Sequence, residues 1–425
     1  MLALSAEEQA LAQGRDGPGP ALALRLLAEA GRLLGAERLI PVASAHIDGC
    51  LYHGDGGTEF AERLVAGGAR VAVPSTTNVG ALDLLRPQNV RLQGHERAMA
   101  LRLMRAHEAL GCRPSWTCAP YQAGHRPAAG SDVAWGESNA VAFVNSVLGA
   151  RTNRYGDFLD LACAVAGRAP DYGLHRPEAR RATLLVELGG LNPALFAEEA
   201  FYPVLGAWYG RAVGEAVGVV AGLPPGLAAT LAADLAEDRL KAFGAAAAST
   251  GSVALFHIAG VTPEAPDTAT ALGGMAPREV LRPDAAALLA ARDGLSTVSG
   301  ERLDAVALGS PHFSLAEFRA LHAALAGRRA AVPVYACTGR HTLAQLEASG
   351  LSEDLQASGV RLIADTCVVV TPILESFTGV LMTNSGKFAH YAPGNTGYGA
   401  VFGSLVDCVE SAVAGRVLRD ERLWR

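Results

Sequence analysis

Two lysines, Lys241 and Lys387, are all that a chain of 425 residues contains, so arginine carries nearly all of its positive charge. Charged residues of every kind make up only 18%, and the formal net charge is −6. That balance leaves no basic face for nucleic acid and no acidic tail. Long uninterrupted apolar runs are also missing. The most apolar stretch, residues 202–231, is broken by Arg211, Glu215, Pro224 and Pro225, which argues against a membrane-spanning helix. Residues 1–14 carry Ser5, Glu7, Glu8 and Gln9 where a secretory leader would be apolar. Seven cysteines, an odd number scattered along the chain, point to reduced thiols in a cytoplasmic protein rather than a disulfide framework.

Several chemical signatures are absent too. There is no CxxC pair, no HExxH and no GxSxG, so a ribbon-type zinc site, a zincin helix and a nucleophile elbow are excluded. Gly54-Asp55-Gly56-Gly57 has the glycines of a phosphate loop but no lysine after them. A metal site would have to be assembled from cysteines distant in sequence.

What is present is a chain that is 50% hydrophobic, long enough for two or three domains. Ser5 and Glu8 have capping-box spacing and open a first helix. An apolar run at 39–43 leads into Ser44-Ala45-His46-Ile47-Asp48. A helix over 58–66 follows, closed by Gly67-Gly68, and then a strand at 70–73 that ends in Pro74-Ser75-Thr76-Thr77-Asn78. Strand, helix and strand this close together predict a parallel pair with a right-handed crossover. The C-terminal half repeats the pattern. Strands at 303–308, 331–336 and 360–364 alternate with a helix opened by the Ser314/Glu317 capping box and another over 342–349, which is α/β with a parallel sheet. Pro224-Pro225, an alanine-rich helix over 227–248 and the loop at 262–274 place a soft boundary near residue 250, dividing 1–250 from 251–425.

In open parallel sheets, ligands bind beyond the carboxyl ends of the strands. Here those ends carry His46 and Asp48; Ser75, Thr76, Thr77 and Asn78; Ser310-Pro311-His312; Cys337-Thr338-Gly339-Arg340; and Asp365-Thr366-Cys367. Each alone reads equally as an ordinary turn or capping residue; the set reads as a site. Ser138 is placed to cap a helix running to Leu148, with Glu137 at its N-terminus, where the macrodipole favours a carboxylate. Thr117-Cys118-Ala119-Pro120-Tyr121 precedes it in a Pro- and Gly-rich loop. Arg151, with Thr152 and Asn153, is either a carboxylate clamp or an exposed arginine. Lys387, in Thr383-Asn384-Ser385-Gly386-Lys387 after a strand, is suited to hold a carboxylate or an enolate-like intermediate. Cys408, in the first turn of a helix capped by Ser404, sits where the dipole lowers a thiol pKa, or is a plain core cysteine.

Taken together these segments resemble the large subunit of the aconitase X family. The resemblance rests on Ala45-His46-Ile47-Asp48-Gly49-Cys50, Val73-Pro74-Ser75-Thr76-Thr77-Asn78, Thr117-Cys118-Ala119-Pro120-Tyr121 and the Trp135-Gly136-Glu137-Ser138-Asn139 segment through Asn153. It continues through Gly309-Ser310-Pro311-His312-Phe313-Ser314, Asp365-Thr366-Cys367, Thr383 to Lys387 and the Cys408 helix, in family order. It implies an aconitase-like α/β fold, with parallel βαβ sheets in two or three domains around a central cleft. It also implies an iron centre, iron–sulfur or mononuclear, on isolated cysteines, here Cys118, Cys367 and Cys408 with Cys337 in reserve. Lys387, His46 and Glu137 become candidate catalytic residues. Asp48, Ser75, Thr76, Thr77, Asn78, Tyr121, Ser138, Asn139, Arg151, His312 and Ser385 become candidate substrate contacts. Some members carry Cys where this chain has Ser310. The chain also ends soon after the Cys408 helix, which implies a small swivel-domain partner subunit. The implied activity is dehydration of a small hydroxy acid, cis-3-hydroxy-L-proline or, alternatively, mevalonate 5-phosphate. A zinc hydrolase using His46, Asp48 and His312, or a non-catalytic iron sensor, is the reading from another class.

Overall fold

Short parallel strands between helices dominate the computed structural model, which describes residues 2–223, 234–420 and 422–424. The chain divides into two units: Met1–Leu82 with Leu92–Arg180, and Asp83–Arg91 with Arg181–Arg425. The division falls between Arg180 and Arg181, upstream of the boundary expected near residue 250. Pro224, Pro225 and the start of the alanine-rich helix expected at 227–248 lie outside the described residues; the helix is seen as Asp234–Gly251. Among the described residues, no helix is long and apolar enough to cross a membrane.

In the first unit a three-stranded parallel sheet has the order Ser75–Thr77, Ala45–Ile47, Ala134–Trp135, with His46 opposite both Thr76 and Trp135. These strands are the polar motifs themselves, a register the sequence expectation missed. The run expected as a strand at 39–43 is only Leu39–Pro41, and it pairs antiparallel with Arg168–Pro170 instead. Residues 70–73 form no strand. The Val71 and Ala72 N–H groups donate to the carbonyls of Leu110 and Ala164 at helix ends, at 2.9 and 2.8 Å, so the ladder starts only after Pro74, whose ring nitrogen has no N–H to give. The helix Asp55–Ala66 ends at Gly67, where a Cβ would collide with the Gly19 backbone. That helix and Pro18–Leu33 bury Leu24, Leu27, Ala61 and Leu64 against Ile47 and Leu161. Each fully buried leucine contributes about 1.5–3 kcal/mol.

The second unit holds two parallel sheets. One has the order His257–Ile258, Gly218–Ala221, Leu184–Glu187, Glu279–Leu281. The other runs Val360–Ala364, Val334–Thr338, Ala305–Leu308, Gly379–Thr383, Tyr398–Phe402. Its helices include Leu315–Leu325, Arg340–Ala348 and an additional Leu351–Ala357 that the periodicity did not separate from its neighbour. The helices Phe201–Val213 and Asp234–Gly251 pack backbone to backbone, because Gly210 and Gly251 leave no room for a Cβ: one on Gly210 would lie 2.6 Å from the Ala247 carbonyl. Asp83–Arg91 belongs to this unit through the Leu84 N–H on the Asp365 carboxylate (3.1 Å) and the Arg91 N–H on the Pro372 carbonyl (2.9 Å).

Candidate active site

In the first unit, strand pairing sets the site. Because His46 lies in register with Thr76, their side chains share one face of the sheet, and His46 Nδ1 lies 2.8 Å from Thr76 Oγ1. The same hydroxyl is 2.7 Å from Nδ1 of His125. Both imidazoles pack on Trp135, with ring centroids 5.4 and 4.9 Å away. Burial pushes His46 well below the ordinary histidine range, and the nearby His125 adds to this. Burial, then Arg113, lowers His125 to about 4. Both rings are therefore neutral near pH 7. The Nε2 atoms of His46 and His125 are buried without a hydrogen-bond partner.

Asp48 accepts a hydrogen bond from Asn78 Nδ2. Its backbone N–H donates to Asp160 Oδ2 at 2.6 Å, as does that of Gly49 at 3.1 Å, while the Leu161 N–H donates to Asp160 Oδ1 at 2.6 Å. Complete burial raises the Asp160 carboxyl to about 8 against those N–H groups, and the Asp48 charge adds to the rise. Gly136 explains its own motif: a Cβ there would lie 2.6 Å from the Asp48 Cβ and 2.9 Å from Asp160 Oδ2. The helix that follows is Ser138–Ser146, and its cap is Glu137, not Ser138. The Glu137 carboxylate accepts from the Ala140 N–H at 2.8 Å and from the Ser138 hydroxyl at 3.3 Å. The longer carboxylate reaches back over the first turn, which leaves the serine as an ordinary first-turn residue.

The remaining expected residues of this unit are placed as follows. Asn139 Nδ2 donates to the Cys118 carbonyl at 2.8 Å, and Tyr121 stacks on Phe143 with centroids 3.6 Å apart. The Ser75 hydroxyl donates to the Val73 carbonyl, and Thr77 Oγ1 accepts from the Trp116 N–H, so both hold local backbone. Arg151 is bridged through its backbone to 131–133, with its Nε buried and without a hydrogen-bond partner.

The second unit gathers its side chains at the ends of the five-stranded sheet. The Cys367 thiol lies below its ordinary value because Cys337 hydrogen-bonds to it. The Val369 N–H, the Lys387 charge and the Ser310 hydroxyl help against the opposing effect of burial. Lys387, 9% exposed, is in the first turn of the helix Gly386–Thr396, which Ser385 caps by accepting from the Phe388 N–H at 3.0 Å. Ser385 also donates to the Ser310 carbonyl. His312 is fully buried, 3.1 Å through Nε2 from the Thr366 carbonyl, and burial lowers it to about 3. Cys367, Cys337, Ser310 and Lys387 therefore converge.

Cys408 stands apart from that group in its surroundings. It packs in the hydrophobic core with Leu308, Met382 and Val401, and burial pushes its thiol well up, with Asp407 and Glu199 adding to the rise. The expected lowering by the helix N-terminus is reversed because Ser404 and Asp407 already cap that end, while the thiol faces the apolar side. Among the described residues no three His, Cys, Asp or Glu side chains are grouped to hold a metal ion.

Two participants escaped the sequence reading, His125 and Asp160. The signal for Asp160 was one carboxylate in the otherwise apolar helix Leu159–Ala166. That for His125 was a histidine between two motifs.

Three family models cover the chain: the aconitase X first domain over residues 1–178, the second over 182–293 and the third over 303–414. The chain belongs to the aconitase X family. The first boundary between these models coincides with the division at Arg180. The chain is 44% identical over 420 residues to the cis-3-hydroxy-L-proline dehydratase of Pseudomonas aeruginosa, matching 97% of this chain and 70% of that protein. It is 39% identical to the enzyme of the same name from Hypocrea jecorina, over 97% and 69% of the two chains. With the phosphomevalonate dehydratase large subunit of Methanothermobacter thermautotrophicus it shares 36% identity, over 96% and 98%. Among solved structures, the holo form of Thermococcus kodakaraensis aconitase X superposes with a TM-score of 0.83 at 31% identity, covering 97% of this chain and all of that one.

Proposed function

We propose that this aconitase X chain is a hydro-lyase that removes water from cis-3-hydroxy-L-proline, giving an enamine that tautomerises to Δ1-pyrroline-2-carboxylate. The observation that carries the reading is the 44% identity to a dehydratase of that name along 97% of this chain. Elimination of water needs a base for the α-proton, an acid for the departing hydroxyl and a cation for the carboxylate. Lys387 supplies the cation. Its low exposure keeps the ammonium poorly solvated, so its attraction for a carboxylate is stronger than at a surface. Neutral His46 supplies a bare or protonated imidazole nitrogen. Asp48, fixed by Asn78 and by the Asp160 turn, orients polar groups of the substrate, and Glu137 holds the helix start beside the Cys118 loop.

Two thiols in hydrogen-bond contact, one of them held toward thiolate beside a lysine, are donor chemistry suited to iron. Cys367 with Cys337 would hold the metal in the second unit. When bound, iron supplies Lewis acidity toward the leaving hydroxyl. The archaeal relatives are named as large subunits, which supports a small partner polypeptide for this chain.

The test is anaerobic purification after co-expression with the partner, followed by assay of cis-3-hydroxy-L-proline and mevalonate 5-phosphate side by side. Turnover of the imino acid alone is the expected result. Exclusive turnover of the phosphate ester would replace this substrate with the other.

A further inference from the structure

Where two strands of the second unit's five-stranded sheet begin, Val334–Thr338 and the edge strand Val360–Ala364, the surface forms a hollow of about 620 Å³. Its charged lining is Arg86, Arg329 and Arg361, joined by the amides of Gln88, Asn89 and Gln356, and among the described residues no carboxylate lines it. Acidic residues outnumber basic ones in this chain, 42 to 36, so three guanidinium groups around one hollow without an acid depart from the average surface. These groups are held in place. Arg86 reaches the edge strand, where its Nη1 donates to the Leu362 carbonyl at 3.4 Å. Arg361 donates from Nη1 to the Tyr335 hydroxyl at 3.1 Å and lies over that ring. Their carboxylate partners, Glu347 at 3.4 Å and Glu375 at 2.8 Å, stand outside the hollow and are exposed, so water competes for both pairs and each contributes little. Arg329 is exposed and has no ion pair among the described residues. The segment that brings Arg86, Gln88 and Asn89 here is fixed by Asp83, whose carboxylate accepts from the Leu85 and Arg86 N–H groups at 3.0 and 2.7 Å and from Asn89 Nδ2 at 2.8 Å.

We infer that this hollow binds a small phosphate ester with a hydroxylated body. A guanidinium has five N–H donors and no acceptor, and its fork matches the oxygens of a phosphate in pairs. Because the arginines are already positioned, they lose little freedom when an anion arrives. The volume lies in the range of small-molecule sites and leaves room beyond a phosphate group. The three amides can hydrogen-bond hydroxyls there. Among the described residues no aromatic ring lines the hollow, so a nucleobase would lack the stacking surface that binds it elsewhere. The hollow is also separate from the thiols and Lys387. Thr338 lies four residues along the strand from Val334, about 13 Å at ~3.3 Å per residue, and both strands run away from the hollow toward Cys337 and the Asp365-Thr366-Cys367 turn.

The test is isothermal titration calorimetry of the full chain with inorganic phosphate and with glycerol 3-phosphate, at constant ionic strength with chloride as the balancing anion. One saturable site is expected, with the ester bound several-fold more tightly than inorganic phosphate. Arg329→Ala and Arg361→Ala should each weaken ester binding about tenfold, with the fold kept as read by circular dichroism. Arg319→Ala, an exposed arginine outside the hollow, and Lys387→Ala should bind the ester as the parent does. Three results would overturn the site: no saturable binding below millimolar ester, affinity that survives both alanine variants, or binding lost with Lys387→Ala, which would move the phosphate to the thiol end. Equal affinity for inorganic phosphate and the ester would overturn the hydroxylated body. None of these measurements uses turnover, so the site stands or falls apart from the dehydratase reading.

Discussion

The two units solve the same problem with opposite electrostatics. At the first unit's sheet, an uncharged hydrogen-bonded group sits beside the Asp48 carboxylate: two neutral imidazoles, a threonine, and a carboxyl raised to about 8 by burial. At the second unit's sheet, the chemistry is ionic. Lys387 and a lowered Cys367 face each other, and nearby Lys241 is buried between Asp238 (3.0 Å) and Glu317 (2.5 Å). Burial opposes the Lys241 charge, but the two carboxylates outweigh it and raise its pKa. Uncharged groups tied by hydrogen bonds tolerate burial at little cost, whereas buried charges persist only where they are paired.

The largest expected effects break the ionic side. Lys241→Met leaves the half-buried Glu317 and Asp238 without their cation, and should cost about 2–3 kcal/mol of stability, read by urea denaturation. An unchanged midpoint would mean that the pair is solvated in solution. Next is Lys387→Ala, which should cost about 3 kcal/mol of transition-state stabilisation, about a hundredfold in kcat/KM, with the fold kept. A loss under threefold would remove the cation from the site.

Two further predictions sharpen the neutral side. Gly136→Ala forces a methyl against Asp48 and Asp160 and should cost about 1–3 kcal/mol, seen as a lower thermal midpoint together with lost activity. The smallest effect concerns pH. His107 is fully buried, and burial lowers it to about 4 against a hydrogen bond to the Leu103 carbonyl. The unfolded chain takes up a proton near 6.5, but the folded chain does so only near 4. Stability is therefore lost as pH falls between those values. His107→Gln should flatten the fall in stability between pH 7 and 5, and an unaltered slope would show that His107 is protonated in the native protein. Asp160 works in the other direction. Its folded pKa is raised above the unfolded 3.8, so its contribution is lost as pH rises from about 4 to about 8, and Asp160→Asn should flatten that limb.

Legibility followed distance along the chain. The capping boxes at Ser5 with Glu8 and at Ser314 with Glu317 were readable because both halves lie within one turn. The strand Val360–Ala364 was readable because its apolar run is bounded by turns. The strands Ala45–Ile47 and Ser75–Thr77 read in the sequence as strand ends because their residues are polar, and the apolar runs just before them have the pattern of a ladder. Asp160 reaches Asp48 across 112 residues and His125 reaches Thr76 across 49, so no local pattern announces either. For Cys408 the two readings offered by the sequence stayed open because cap spacing fixes where a helix begins, not which way its fourth residue faces.

Where Phe201–Val213 and Asp234–Gly251 meet through glycine and alanine, there is no layer of side chains between the two backbones. At that end the contact is backbone on backbone, while Tyr209 against Phe243 fills the space farther along. The pair acts as a rigid strut, and Lys241 is mounted on it. Any side chain at Gly210 or Gly251 would therefore drive the two backbones apart, and the helix that carries Lys241 would move with them.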